Sequence, residues 1–143
     1  LAADISPRAL EVAARNAARH EVAGRIKFVE SDVFASVPDE KFDIIVSNPP
    51  YIAAAEINSL EPEVRDHEPI SALTDGGDGL SIVRQVIDGA AERLEHGGLL
   101  LVEIGFGQSA AVERLVDGRL WDDVSFVSDL QGIPRTLRCR RRL

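Results

Sequence analysis

An α/β fold with a mainly parallel sheet is predicted by three features of the sequence. Short β-rich runs alternate with stretches whose apolar residues recur at helical spacing, the pattern of βαβ units. One run, Asp43-Ile44-Ile45-Val46, is apolar enough for a strand covered on both faces. The last two β-rich runs lie close together, which predicts a C-terminal antiparallel hairpin at one edge.

The elements follow in order. Ser6 is a helix cap and Pro7 suits a first helical position, so a helix is predicted from there to about His20. Leu10, Ala13, Ala14 and Ala17 share one of its faces, while Arg8, Glu11, Arg15 and Arg19 project elsewhere. Gly24 marks a turn before a strand over Ile26 to Val29, and Ser31-Asp32-Val33-Phe34 reads as a strand-end loop. A strand over Phe42 to Ser47 precedes a segment to about Gly77 with little periodicity; a connection this long is functional or partly helical. From Asp78 the stripe Leu80, Val83, Val86, Ile87, Ala90 and Leu94 predicts a helix stopped by Gly97-Gly98. Leu99 to Ile104 then reads as a buried strand, Gln108 to Val116 as a weaker helix, and Val124 to Val127 and Thr136 to Arg141 as the closing strands.

Composition bounds the class. With 143 residues, 45% hydrophobic and 28% charged, the chain has the proportions of a single domain, 1–143, whose core needs no disulfide or metal. One cysteine, Cys139, permits no internal disulfide, and three scattered histidines have no metal-ligand spacing, so no metal is expected. There is no apolar run of about eighteen residues and no signal-peptide pattern, so the expectation is a cytoplasmic protein with no membrane partner. A net charge of −8 repels phosphate, although Arg135, Arg138, Arg140, Arg141 and Arg142 form a local basic patch. The opening Leu1-Ala2-Ala3-Asp4 reads like the end of a buried strand, and the chain is expected to be truncated.

Ligands of open α/β sheets bind beyond the carboxyl ends of strands, which singles out Asp4, Asp32 and Asn48. Asp4 is placed to accept the hydroxyls of a ribose; alternatively it belongs to the turn that enters the first helix. Asp32 is a turn residue or an acceptor for an adenine amine, with Val33 or Phe34 beside the ring. Asn48-Pro49-Pro50-Tyr51 joins an amide, two rings that stiffen the backbone and an aromatic plate. The Asn48 oxygen and the Pro49 carbonyl are suited to bind both hydrogens of a planar NH2 group and turn its lone pair toward an electrophile, with Tyr51 packed alongside. The bland reading of the same four residues is a rigid turn.

The chain resembles the class I, Rossmann-like, S-adenosylmethionine-dependent methyltransferases, and within them the HemK/PrmC family of protein-(glutamine-N5) methyltransferases, which modify peptide chain release factors. The resemblance rests on Asp4-Ile5-Ser6, Ser31-Asp32-Val33-Phe34, Asn48-Pro49-Pro50-Tyr51-Ile52, Glu68-Pro69 with Ala72-Leu73, Gly76-Gly77-Asp78-Gly79-Leu80, Glu103-Ile104-Gly105 with Gln108, and Asp129-Leu130 with Gly132 and Arg135. It implies S-adenosylmethionine as cofactor, S-adenosylhomocysteine as product and a release factor as protein partner. It also implies cofactor contacts from Asp4, Asp32, Val33 and Asn48, a substrate site of Asn48, Pro49, Pro50 and Tyr51, and catalytic roles for Asn48, Pro49 and Tyr51. The reaction implied is in-line transfer of a methyl group to a glutamine side-chain amide of a Gly-Gly-Gln segment, with no dedicated general base; His67 is therefore not nominated. Glu68 and Glu103 either support the pocket or are ordinary turn and strand-end acids, and Gly76, Gly77 and Gly79 are expected to satisfy backbone geometry before a helix.

The family's glycine-rich loop and first strand are expected to lie before residue 1. The chain would then be the C-terminal part of a catalytic domain, with a gap in its sheet. Two other functions stay open: a DNA or RNA adenine-N6 methyltransferase, which the Asn-Pro-Pro-Tyr motif alone allows but the negative charge disfavours, and a non-catalytic Rossmann-like interaction module. Nucleic acid is not expected as a direct substrate. The terminal arginines alternatively protect an edge strand.

Overall fold

The strands fall into two hydrogen-bonded sheets. A computed structural model describes residues 1–143, which divide into two units, Leu1–Asp39 and Glu40–Leu143.

In the first unit, β1 (Ala2–Asp4) pairs in parallel with β2 (Phe28–Glu30), Asp4 lying opposite Glu30. Helix α1 (Pro7–Arg19) connects them and packs on both. It begins where the sequence predicts, because the Ser6 hydroxyl accepts from the Ala9 N–H at 3.2 Å and Pro7 needs no hydrogen-bond acceptor there. Ala17, at the centre of the predicted apolar face, is buried. Strand β2 starts two residues later than the run Ile26 to Val29 suggests, since a 3₁₀ turn over Ala23–Arg25 delays the extended backbone.

The second unit contains a four-stranded mixed sheet in the order β3-β4-β6-β5. β3 (Phe42–Ser47) runs parallel to β4 (Leu94–Glu103), and β6 (Pro134–Arg141) lies antiparallel between β4 and β5 (Trp121–Ser128), so the last two strands form the expected hairpin. Leu100 faces Cys139 in the register and Val102 faces Leu137, all four fully buried. Burying such side chains contributes about 1.5–3 kcal/mol each. Helix α4 (Ser81–Arg93) packs on β4 and β3 through the predicted stripe, with Val83, Val86, Ile87 and Ala90 at most 3% exposed. α5 (Ser109–Glu113) packs on β6. The segment after β3 is partly helical, with a 3₁₀ stretch over Ala54–Ser59 and short helices α2 (Pro62–Arg65) and α3 (Ile70–Leu73).

Two expectations are corrected. Gly97-Gly98 does not stop α4, which ends at Arg93; Leu94 already belongs to β4, and the glycines form an irregular stretch where the register jumps between the Phe42–Leu94 and Ile44–Leu99 pairs. Gly97 there has φ +78, a conformation glycine adopts without penalty. Nor is β3 covered on both faces: Ile44 and Val46, which share one face, are 56% and 71% exposed. No helix is long and apolar enough to cross a membrane.

Candidate active site

In the first unit, Asp4 is the last residue of β1 and Asp32 follows the carboxyl end of the adjacent parallel β2, and both are exposed. Asp4 does enter the helix turn, its Oδ1 accepting from the Ser6 N–H at 2.7 Å. The loop after β2 is organised by Ser31, the buried polar side chain of the chain. Its hydroxyl donates to the Val33 carbonyl at 3.1 Å and accepts from the Ser36 N–H at 2.9 Å, while the Ser31 N–H donates to the Asp4 carbonyl at 3.0 Å. Val33 is held at φ +47, a left-handed conformation that costs a β-branched residue on the order of 1–3 kcal/mol. Exposed carboxylates beside an only partly covered Val33 fit a ribose and an adenine ring: acceptors for hydroxyl and amine hydrogens next to an apolar surface.

In the second unit, the Ser47–Val102 pair sets Asn48 at the end of β3, alongside the end of β4. Asn48, Pro49, Tyr51, Ile52, Glu68 and Leu73 line, with Ala72, a pocket of about 280 Å³. Pro49 is buried, Asn48 is exposed, and neither the Asn48 amide nor the Pro49 carbonyl is engaged by another group of the chain. Both remain available as acceptors. The far side of the motif is closed by backbone: Ile52 N–H donates to the Leu73 carbonyl and Ala54 N–H to the Gly77 carbonyl, each at 2.9 Å.

Tyr51 is tied at both ends. Its hydroxyl donates to Glu103 Oε1 at 2.8 Å, and the Arg135 guanidinium lies 5.6 Å from the ring centroid, with Nη2 at 3.5 Å from the hydroxyl oxygen. Gln108 Nε2 donates to the Tyr51 carbonyl at 2.9 Å, and Gln108 Oε1 accepts from the Gly105 N–H at 2.7 Å. Burial and then the Glu103 carboxylate raise the phenol's pKa above its ordinary value, against a smaller opposing effect of Arg135, so Tyr51 stays protonated at neutral pH. Gly79, at φ +77, approaches so closely that a Cβ there would sit 2.2 Å from the Tyr51 carbonyl oxygen.

A family model described as "Methyltransferase small domain" matches residues 1–65. The release factor glutamine methyltransferase of Cereibacter sphaeroides is 50% identical over 140 residues, 98% of this chain and 50% of that protein. Over nearly its whole length the chain is similar to proteins named release factor glutamine methyltransferase, at 42–50% identity. It spans about half the length of the curated relatives it matches. Among solved structures, the ribosomal protein L11 methylase of Lactobacillus delbrueckii subsp. bulgaricus superposes with a TM-score of 0.66 at 20% identity, over 99% of this chain and 56% of that one. The Streptococcus mutans protein SMU.1697c, solved in complex with SAH, gives 0.63 at 15% identity, over 97% and 73%. At these identities the likeness establishes the fold, that of the Rossmann-like methyltransferases.

The structure brings Asn48, Pro49 and Tyr51 to one pocket and adds Glu68, which the sequence left undecided. Glu103 is more than a strand-end acid, since it holds the Tyr51 phenol. Sequence reasoning missed Ser31, Gln108 and Asp75 as organisers. Asp75 accepts from the backbone N–H groups of Gly77, Gly79 and Ser81 at 2.8–3.0 Å. Partial burial raises its pKa, but those three donors outweigh burial and leave it below the usual carboxylate range. The signal was the Asp-Gly-Gly run, whose turn chemistry is legible but whose target is not. His67 is exposed, and Cys139 is buried with its thiol pushed up to about 12, which leaves it un-ionised. Three of the terminal arginines bind structure: Arg140 the Gly97 carbonyl, Arg141 the Ala91 and Leu120 carbonyls, and Arg142 the Gly118 carbonyl.

Proposed function

We propose that residues 1–143 form part of a single methyltransferase catalytic domain that acts in the cytoplasm, transferring a methyl group from S-adenosylmethionine to the side-chain amide nitrogen (N5) of the glutamine in the Gly-Gly-Gln segment of a peptide chain release factor. The observation that carries this reading is the pocket beside β3, where the Asn48 amide oxygen and the Pro49 carbonyl are left unengaged between rigid proline rings and a fixed aromatic wall. The names and close sequence identity of the curated relatives support it.

Asn48 Oδ1 and the Pro49 carbonyl accept the two amide hydrogens, which turns the nitrogen lone pair out of conjugation with its own carbonyl. Pro50 keeps the two acceptors in fixed directions, and Tyr51 packs against the planar amide. When bound, S-adenosylmethionine would supply the electrophile, a methyl group on a sulfonium, with S-adenosylhomocysteine as the leaving group. Asp4 would hold the ribose hydroxyls, Asp32 the adenine amine and Val33 a face of the ring, and Asn48 is also assigned to the cofactor. As the N–C bond forms, positive charge develops on nitrogen and the two acceptors stabilise it. The proton leaves once that bond has made it acidic, so no side chain is assigned as general base.

The test is mass spectrometry of a Gly-Gly-Gln peptide incubated with S-adenosylmethionine and the full-length protein. One methyl group on the glutamine is expected, and none on the same peptide carrying glutamate instead. An unmodified glutamine peptide, with cofactor binding demonstrated, contradicts the reading. Adenine in nucleic acid is not favoured: three of the C-terminal arginines already bind backbone carbonyls, and the net charge is −8.

A further inference from the structure

We infer that Glu103 and Arg135 are positioning residues of the amide pocket: reaching the Tyr51 phenol from the ends of β4 and β6, they fix the ring that lines it, while Gln108 fixes the Tyr51 carbonyl. The inference rests on the amide methylation proposed above and names the residues that prepare its site.

Prolines at 49 and 50 restrict the backbone up to Tyr51 but leave the tyrosine side chain its rotamers. A ring free to rotate would widen the pocket and lose the stacking surface for a planar group. Two ties remove that freedom and a third holds the backbone beneath the ring, each from a residue far away in sequence. The hydrogen bond to the Glu103 carboxylate has an ordinary O–H···O length of 2.8 Å. Arg135 lies over the ring within the range where a guanidinium and an aromatic face attract, and its main chain is itself fixed because its carbonyl accepts from the Ile104 N–H at 2.9 Å. Gln108 bridges the Gly105 N–H and the Tyr51 carbonyl, so the turn after β4 and the substrate motif move together. Tyr51, Glu103 and Arg135 thus form one unit whose only contribution to the lining is the Tyr51 wall.

The experiment uses the full-length protein and a Gly-Gly-Gln peptide, with kcat, the KM of both substrates and the Kd of S-adenosylhomocysteine measured for each variant. Glu103→Ala is expected to lower kcat by about tenfold to a hundredfold with the cofactor Kd unchanged within about twofold. Glu103→Gln, which retains a hydrogen-bond acceptor, restores most of the rate. Tyr51→Phe removes the hydroxyl through which Glu103 acts, so Glu103→Ala costs little more when added to Tyr51→Phe. A spectroscopic readout is independent of turnover: Tyr51 is the chain's sole tyrosine, and its phenolate absorbance is read as the difference between the unaltered protein and Tyr51→Phe. Glu103→Gln lowers the phenol pKa and Arg135→Ala raises it. Unchanged kcat in Glu103→Ala, or a double variant whose loss is the product of the single losses, overturns the positioning role while leaving the methyltransferase reading intact. Absence of methyl transfer by the unaltered protein overturns both.

Discussion

The loop after β2 and the loop after β3 both leave the carboxyl end of a parallel strand, yet they are braced differently. Ser31-Asp32-Val33-Phe34 is held within five residues of itself, by one buried hydroxyl that binds the Val33 carbonyl and the Ser36 N–H. Asn48-Pro49-Pro50-Tyr51 is held from a distance: Glu103 is 52 residues away, Gln108 57 and Arg135 84. The local brace tolerates strain, with Val33 kept at φ +47. The distant braces leave Asn48 itself untouched, so the residue proposed to meet the substrate carries no structural duty. A local brace shapes its own loop, whereas distant ones tie a motif to the strands around it.

Substitutions break this comparison to different degrees. Asn48→Ala should lower methyl transfer by about 10²–10³-fold, the loss seen when one preorganised polar group is removed from a transition state, while urea unfolding shifts by less than about 0.5 kcal/mol. Comparable losses in rate and stability would show that Asn48 is structural after all. Gly79→Ala attacks the distant brace, because its Cβ would meet the Tyr51 carbonyl at 2.2 Å in a backbone already at φ +77; about 2–3 kcal/mol of stability should be lost in chemical denaturation. Ser31→Ala attacks the local brace and leaves the Ser36 N–H without its partner, for about 1–2 kcal/mol and weaker binding of S-adenosylmethionine by calorimetry.

Smaller effects sharpen the contrast. Asp75 has its pKa lowered by folding, so its carboxylate stabilises the protein above the unfolded carboxylate range, near about pH 4, and that contribution disappears as pH falls through the lower folded value. Asp75→Asn should cost less than about 1 kcal/mol at neutral pH, since the side chain is only partly buried, and should flatten the stability profile on the acid side. Val33→Gly should leave stability within about 0.5 kcal/mol, since relief of left-handed strain offsets the greater freedom of an unfolded glycine, while cofactor affinity falls with the lost apolar surface.

How much of this was legible in the sequence follows the same division. Features encoded within a few residues could be read: the Ser6 cap and Pro7 start of α1, the strand Phe42–Ser47, the α4 stripe and the closing hairpin. Asn48, Pro49 and Tyr51 stood out because two prolines after a strand restrict the chain locally. Leu94 was misread because an apolar residue continues a helical stripe and begins a strand equally well, and the boundary is set by pairing with Phe42. The exposure of Ile44 and Val46 depends on which elements lie beside β3, which its own composition does not record. Glu103, Gln108 and Arg135 carry no local sign that all three converge on Tyr51; only the register of β4 with β6, Glu103 opposite Thr136, brings two of them together.

The central claim is that the Asn48 and Pro49 acceptors recognise an NH2 group. Calorimetry with the full-length protein and S-adenosylhomocysteine, comparing a Gly-Gly-Gln peptide with its glutamate counterpart, tests this most directly. Two acceptors facing a carboxylate repel it and leave their own hydrogen-bonding capacity unmet, so the glutamine peptide should bind at least about tenfold more tightly, and Asn48→Ala should erase most of that preference. Equal binding of the two peptides, or a preference that survives Asn48→Ala, would contradict the account.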